Sequence, residues 1–377
     1  MLIKKTRSLC PVCNTVLDAE IAEEEGQIWL KRTCPEHGFF KNLYWSDPVM
    51  YHRFNNYDVM GTGIANPQYT SATPNSCPTA CGLCNNHHSQ TLLANIDLTN
   101  RCNLNCDFCF ANARACGFVY EPAFDEVVSM LNLLRSQKPV PAPAVQFSGG
   151  EPTMRDDLFE IIRTAKEMGF KQVQIATNGI KIAATREYAQ ELKDTGLNTV
   201  YLHFDGISKE TNPFLTMHKK AIGNLKKTGL GVILVPTVLR GRNDHEVGDI
   251  IRFAARNISV IRGVNFQPVA FTGAAREEDI NKSRVTIPDL LAGIEKQMDG
   301  MVKKDDFYPV PSVIPFSDLV EAYTERPQVR FTAHQHCGAA TYIFVQNDGA
   351  VVPVNRMVDV DHLFESVDQM AKTLKKG

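Results

Sequence analysis

The chain has no run of about 18 apolar residues, so nothing in it is expected to span a bilayer. Charge of either sign is not in excess: 40 Lys and Arg against 42 Asp and Glu leave a net charge of −2. That balance provides no basic field for nucleic acid. Residues 1–7 lack the apolar core of a secretory leader, which makes the cytoplasm the expected compartment. Repeats and low-complexity tracts are also missing, and tryptophan is reduced to two residues. Cysteine is plentiful but unsuited to pairing. Eleven is an odd number, and they clump at 10, 13 and 34, at 77, 81 and 84, and at 102, 106 and 109, with 116 and 337 apart. Nine of the eleven fall at metal-ligand spacing, the mark of an oxygen-sensitive metalloprotein in a reducing compartment rather than of a disulfide framework.

The most informative stretch is Cys102-Asn-Leu-Asn-Cys106-Asp-Phe-Cys109, which follows a strand-like run over 93–99. A 4Fe–4S cubane takes one protein ligand per iron, usually a thiolate. Three thiolates on one short loop leave the fourth iron open to a small molecule. Further on, Gly149-Gly150-Glu151-Pro152 supplies a glycine pair that lets backbone approach a ligand closely. A zinc knuckle or three buried thiols would explain the cysteines alone, but not this glycine-rich partner.

Together these motifs resemble the radical S-adenosylmethionine (SAM) enzymes, whose signature is C-x3-C-x-aromatic-C followed by G-G-E on the next strand. The resemblance implies that Cys102, Cys106 and Cys109 hold a 4Fe–4S cluster whose open iron chelates SAM. One electron would then yield methionine and a 5′-deoxyadenosyl radical. It also implies that Phe108 lies against the adenine, that Gly149 and Gly150 receive the methionyl ammonium, and that Glu151 supports that charge. Similar Asn-Gly and Asp-Gly pairs close strands in such enzymes, which makes Asn178 and Asp205 candidates for cofactor contact, though both are also ordinary turn formers. Gln267 and Arg240 fall at the same sheet edge. Arg240 could meet a carboxylate or simply be solvated. His203 could move a proton or be a core histidine. No catalytic acid or base is assigned, because the primary chemistry is hydrogen-atom transfer.

Residues 1–45 read as a small metal module. Cys10-Pro-Val-Cys13, a strand over 27–33 and Cys34-Pro-Glu-His37 offer four N/S ligands, suited to a closed tetrahedral site for mononuclear iron or zinc. Residues 46–92 form a bridge with little regular pattern. It carries Cys77, Cys81 and Cys84, a triplet for an auxiliary 4Fe–4S cluster. Cys337 is the leading candidate for the fourth ligand, with Cys116, Asn85, His87 and His88 as rivals.

Residues 93–285 alternate strand and helix. Strands are expected over 93–99, 144–147, 172–176, 199–204, 232–238 and 264–268, and helices over 122–136, 157–168, 185–195, 216–228 and 245–257. This is an α/β pattern with a parallel sheet, and its ligand site belongs at the C-terminal ends of the strands. The resemblance implies a partial (β/α)6 barrel. Residues 286–377 form a C-terminal α/β extension, with a helix near 287–301, a strand over 340–347 ending in an Asp348-Gly349 turn, and an amphipathic helix from 361.

The three cysteine motifs in this order, with Tyr44-Trp-Ser-Asp47 and the tract from Asp97 to Asn112, narrow the resemblance to one branch. It holds archaeal tetraether lipid synthase and relatives described as pterin-precursor methylases. The leading expectation is therefore C–C coupling of lipid alkyl chains, with peripheral membrane contact. Radical methylation of a pterin precursor is the alternative. A lipid calls for a long apolar tunnel, and a pterin for a compact polar pocket. A radical SAM peptide maturase and a non-catalytic iron–sulfur or zinc protein are further readings. A reductase or ferredoxin is the expected electron donor, and the substrate is a small molecule or lipid. Relatives carry a further cysteine-bearing segment beyond the position of Gly377, so a second auxiliary cluster is expected to be incomplete or absent.

Overall fold

A computed structural model describes residues 1–69, 82–83, 87–113, 117–271 and 280–375. The N-terminal module is an antiparallel meander of four strands in sequence order, β1 (Leu2–Leu9), β2 (Val16–Glu24), β3 (Gln27–Cys34) and β4 (Gly38–Trp45). Glu25 and Gly26, both at positive φ, close the β2–β3 hairpin, the geometry favoured by two-residue turns. The sequence predicts only the third of these strands, because charge on the exposed faces breaks up the apolar pattern of the others.

The bridge starts with a helix that its composition does not announce, α1 (Pro48–Asn55). Asp47 caps it, accepting from Met50 N at 3.0 Å, and Pro48 occupies the first turn, where no amide donor is needed. It buries Met50, Tyr51 and Phe54.

The central sheet has six parallel strands in strict sequence order: β5 (Leu93–Thr99), β6 (Ala144–Gly149), β7 (Gln172–Thr177), β8 (Thr199–His203), β9 (Gly231–Val235) and β10 (Ile261–Val264). Between them run α2 (Phe124–Arg135), α3 (Leu158–Glu167), α4 (Ile180–Ala184), α5 (Arg186–Asp194), α6 (Leu215–Thr228) and α7 (Val247–Arg256). Helix α3 turns Leu158, Ile161, Ile162 and Ala165 onto the sheet at helical spacing, against Val145, Phe147, Val173 and Ile175.

Two strand expectations shift. The run over 232–238 is interrupted at Pro236, which has no N–H for a ladder, and resumes as a short pairing of Thr237–Val238 with Gln267–Pro268. The sixth strand lies at 261–264, earlier than its apolar residues imply. Helix α4 is unanticipated. It ends at Thr185, whose hydroxyl caps α5 by accepting from Tyr188 N.

In the C-terminal part, α8 (Ile287–Gln297), α9 (Ile314–Thr324), a hairpin of β11 (Ile343–Val345) with β12 (Val351–Pro353), and α10 (Val360–Leu374) follow. The hairpin turns at Asp348-Gly349 as expected, while α9 is not anticipated. The metal module rests on this region and on α7. Ile28, Trp45 and Phe54 share one buried cluster with Ile251, Leu291 and Ile294. Asp47 pairs with Lys304 at 2.6 Å. Among the described residues, no helix is long and apolar enough to cross a membrane.

Candidate active site and metal centre

Cys10 and Cys13 lie on the turn between β1 and β2, Cys34 ends β3, and His37 lies on the turn that leads to β4. The meander brings these turns together, and the four ligand atoms all lie within 4.8 Å of one another. Cys34 Sγ is 3.5 Å from His37 Nδ1 and 3.9 Å from Cys13 Sγ. Cys10 and Cys34 are buried. The Thr15 hydroxyl, 3.2 Å from Cys13 Sγ, and the Thr15 backbone lower the Cys13 thiol to about 6, so it is ready as a thiolate. Three thiolates and one imidazole around a single point suit a structural zinc ion.

The second set of cysteines is built differently. Cys102, Cys106 and Cys109 follow β5 on one loop, and Cys106 is exposed. The next strand secures the base of this loop. Gly150 N donates to Thr99 O at 2.7 Å, and Glu151 N to Arg101 O at 2.8 Å. A Cβ on Gly149 would collide with the Thr99 carbonyl, and one on Gly150 with that of Arg101. Gly149 also sits at φ 121°. The glycine pair is therefore required by the close approach of two backbones, whatever else it receives.

Glu151 is fully buried, and protein donors surround its carboxylate. Thr153 Oγ1 and Thr177 Oγ1 each donate at 2.6 Å, and Asn178 N at 2.7 Å. It thus ties the end of β7 to the Gly-Gly loop. Asn178 turns its side chain toward the cysteine loop, donating from Nδ2 to Asn103 Oδ1 at 2.7 Å.

Beside the loop, at the C-terminal ends of β8 and β9, lies a cavity of about 210 Å³. Cys106 and Phe108 form one wall. His203, Asp205, Asn212, Asn243 and Arg242 supply polar groups, and Phe214 and Leu239 supply apolar ones. Asp205 is held from both sides. Its Oδ1 accepts from Thr237 N at 2.8 Å, and its Oδ2 lies 2.8 Å from His203 Nε2. Burial opposes a charge on His203, but the Asp205 carboxylate prevails and moves its pKa upward.

The predicted site residues do not all converge. Cys102, Cys106, Cys109, Phe108, Glu151, Asn178 and Asp205 gather at one end of the sheet. Gln267 is exposed on the strand paired beyond Pro236. Arg240 points away, donating to Asp289 Oδ2 at 3.0 Å and to the Arg284 carbonyl. Arg242, missed in the sequence, enters the cavity instead. Its guanidinium lies 5.4 Å from the centre of the Phe108 ring and 3.8 Å from Asp107. The signal was a second arginine two positions on, in a turn whose course only the structure fixes. Cys337 is exposed on the loop before the Ala339–Ala340 strand. Cys77, Cys81, Cys84, Asn85 and Cys116 lie outside the described residues.

Comparison with known proteins adds to this geometry. The chain matches the radical SAM superfamily over residues 96–254 and the HMPTM N-terminal zinc ribbon domain over 2–46. It is 49% identical to the 7,8-dihydro-6-hydroxymethylpterin dimethyltransferase of Methanocaldococcus jannaschii, across 99% of this chain and 74% of that protein. It is 24% identical to the probable GTP 3′,8-cyclase of Methanothermobacter marburgensis, across 75% of this chain and 92% of that protein. Among solved structures, HydG, a maturase of the FeFe hydrogenase, aligns with a TM-score of 0.45 at 17% identity, over 57% of this chain and 51% of that one.

Proposed function

We propose, because this chain belongs to the radical SAM superfamily and within it to the family of the 7,8-dihydro-6-hydroxymethylpterin dimethyltransferase, that it transfers methyl groups to carbon atoms of a reduced pterin. It is a radical SAM enzyme and a transferase. The finding that carries the pterin assignment is 49% identity across 99% of the chain. The cavity wall agrees with it, since His203, Asp205 and Asn212 offer a polar heterocycle hydrogen-bond partners that an alkyl chain could not use. Lipid-chain coupling, the leading expectation from sequence, gives way to its alternative.

Cys102, Cys106 and Cys109 would carry the cluster that generates the 5′-deoxyadenosyl radical when SAM is bound. The chain's own residues would do the rest. The Gly149-Gly150 crossing fixes the loop base, Glu151 holds the strand end beside it, and Asp205 orients His203 toward the substrate space. The N-terminal ligand set, in a module matching a zinc ribbon, would hold zinc. Cys77, Cys81 and Cys84 would carry an auxiliary cluster with Cys337. Support comes from Ser89, which donates to Thr332 O at 3.2 Å, and from Arg330 N, which donates to Gln90 Oε1. These contacts bring the segment after the triplet alongside the one that leads to Cys337. A reductase or ferredoxin would deliver the electrons.

The test is anaerobic incubation of the reconstituted chain with SAM, dithionite, 7,8-dihydro-6-hydroxymethylpterin and a separate one-carbon donor, because each SAM cleaved to 5′-deoxyadenosine keeps its methyl group on methionine; further SAM and a methylene-carrying reduced pterin are the donors to supply in turn. The expected products are 5′-deoxyadenosine and pterin heavier by one or two methyl groups. Unmodified pterin, with 5′-deoxyadenosine formed only when an alkyl lipid is added, would return the assignment to lipid coupling.

A further inference from the structure

Most polar side chains that line the cavity are already committed to partners within the protein. Asp205 takes the Thr237 amide and the His203 ring, and Thr211 Oγ1 donates to Glu246 at 2.6 Å. Asn243, 2% exposed, donates to the carbonyls of Asp205 and Thr237 and accepts from Leu239 N. Asn212 spans the Gly206 carbonyl and the His218 ring. Arg242 differs from all of these. Among the described residues its guanidinium meets one charge, Asp107 at 3.8 Å, which is beyond hydrogen-bond range, and the Phe108 ring. Its five N–H donors are left to water or to a ligand.

The backbone that carries Arg242 is fixed without help from its side chain. Arg242 N donates to Leu239 O at 3.2 Å, and Asn243 Oδ1 holds Leu239 N at 2.9 Å. Gly241, at φ 74°, donates from its N to Asp244 Oδ1 at 2.9 Å. The guanidinium can therefore change partner while the turn stays in place. Arg240, two residues earlier, is instead spent on Asp289 and the Arg284 carbonyl.

A guanidinium can only donate, so its ligand must present an acceptor. The oxo group at position 4 of a pterin is one such acceptor, and the SAM carboxylate is another. The resemblance puts the SAM ammonium at Gly149-Gly150, which follows β6, whereas Arg242 follows β9, three strands away in the sheet. That separation favours the substrate. We propose that Arg242 is a specificity-determining residue that reads the 4-oxo group of the pterin, its loose tie to Asp107 giving way when the substrate enters. The assignment rests on the pterin reading. A 4-amino group in that place would set donor against donor, so the same residue rejects the diamino ring.

The experiment uses the full reconstituted chain with SAM and no reductant. It reads the dissociation constants of 7,8-dihydro-6-hydroxymethylpterin, of its 4-amino analogue and of SAM. The unsubstituted chain should bind the oxo form about tenfold or more tighter than the amino form, as expected for a hydrogen bond from a charged donor. Arg242→Met keeps a long side chain on Phe108 but has no donor. It should bring the two pterins within about twofold of each other by weakening the oxo form, and leave SAM binding within the same margin. Iron and sulfide counts identify a variant that fails to load. If Arg242→Met is one, Arg242→Gln decides, since its amide can face either group and should also lose the preference. A preference that survives the substitution would overturn the proposal, as would SAM affinity that falls with the preference unchanged, which would give Arg242 to the SAM carboxylate. An unsubstituted chain that binds both pterins equally overturns this proposal alone. One that binds neither sinks the pterin reading and this proposal with it.

Discussion

At the N-terminal centre, two turns of a rigid meander hold four ligand atoms within 4.8 Å of one another, with Cys10 and Cys34 out of solvent. At the second centre, three cysteines share a single loop and Cys106 is exposed. A mononuclear ion needs its ligands to converge on one point, whereas a cubane takes each thiolate at a different iron. The first arrangement offers four ligands, a full tetrahedral set with no position left for a substrate, even though His37 is exposed and Cys13 half-buried. The second leaves one side facing the cavity, where a small molecule can reach it. Each set is built on three cysteines, and what separates them is the fourth ligand, which His37 supplies in the first and no neighbour on the loop supplies in the second.

Removing a ligand from each should break the comparison most sharply. Cys106→Ala should reduce 5′-deoxyadenosine formation by about a thousandfold or more, since no other group supplies the radical, while the metal of the N-terminal module stays bound. Cys34→Ala should do the reverse at first. It should release the module's metal and lower the melting temperature by about 10 °C, because metal binding contributes directly to folding free energy. Metal counts and thermal melts on the two variants check both. Equal loss of activity and stability in each would show that the centres are not separable.

A pair of glycines sharpens the contrast. Gly38, beside the metal module, has φ 79° and open space where a Cβ would go. Gly38→Ala should cost about 1 kcal/mol from backbone conformation alone. Gly150 lies against the Arg101 carbonyl. Gly150→Ala must push two backbones apart, at about 3 kcal/mol, and should weaken SAM cleavage as well. Denaturant unfolding gives the two costs, and similar values would mean that the crossing at Gly150 is not tight.

Much of this was legible because cysteine spacing and strand–helix alternation are local signals. The four module ligands, the cluster loop and five of the six strand positions could be read close to their places. The remainder depends on distant partners. Helix α1 hangs on the Asp47 cap and on burial of Phe54 against Trp45 of the metal module, while the bridge that holds the helix has a composition that reads as irregular. Arg240 and Arg242 are equivalent in sequence, and only the course of the turn sends one to Asp289 and the other to Phe108. His218 looked like any residue on an amphipathic helix, and its link to Asn178 spans 40 positions.

The smallest expected effect concerns the arginine that supports each centre. Arg32 donates to the carbonyl of Leu9, just before Cys10, and to Asn42 Oδ1, both neutral acceptors. Arg155 donates to the carbonyls of Leu98 and Pro122 at the root of the cluster loop, and it is itself gripped by Asp157 at 2.7 and 2.6 Å. The Arg155 hydrogen bonds hold the Asp157 carboxyl below its usual pKa. A carboxyl depressed in the folded state contributes stability above its unfolded value of about 3.9, and loses it as pH falls through the folded value. Asp157→Asn should therefore cost about 1 kcal/mol at neutral pH, discounted for the partial exposure of the pair. Since Asp157 makes no side-chain cap bond to α3, this cost belongs to the arginine. The gap between variant and parent should narrow as pH falls below the unfolded value and close once the folded parent carboxyl is protonated too. Urea unfolding of both chains across that range is the check. A gap that persists in acid would assign the role of Asp157 to packing, and the root of the cluster loop would then be as insensitive to pH as the neutral contacts of Arg32.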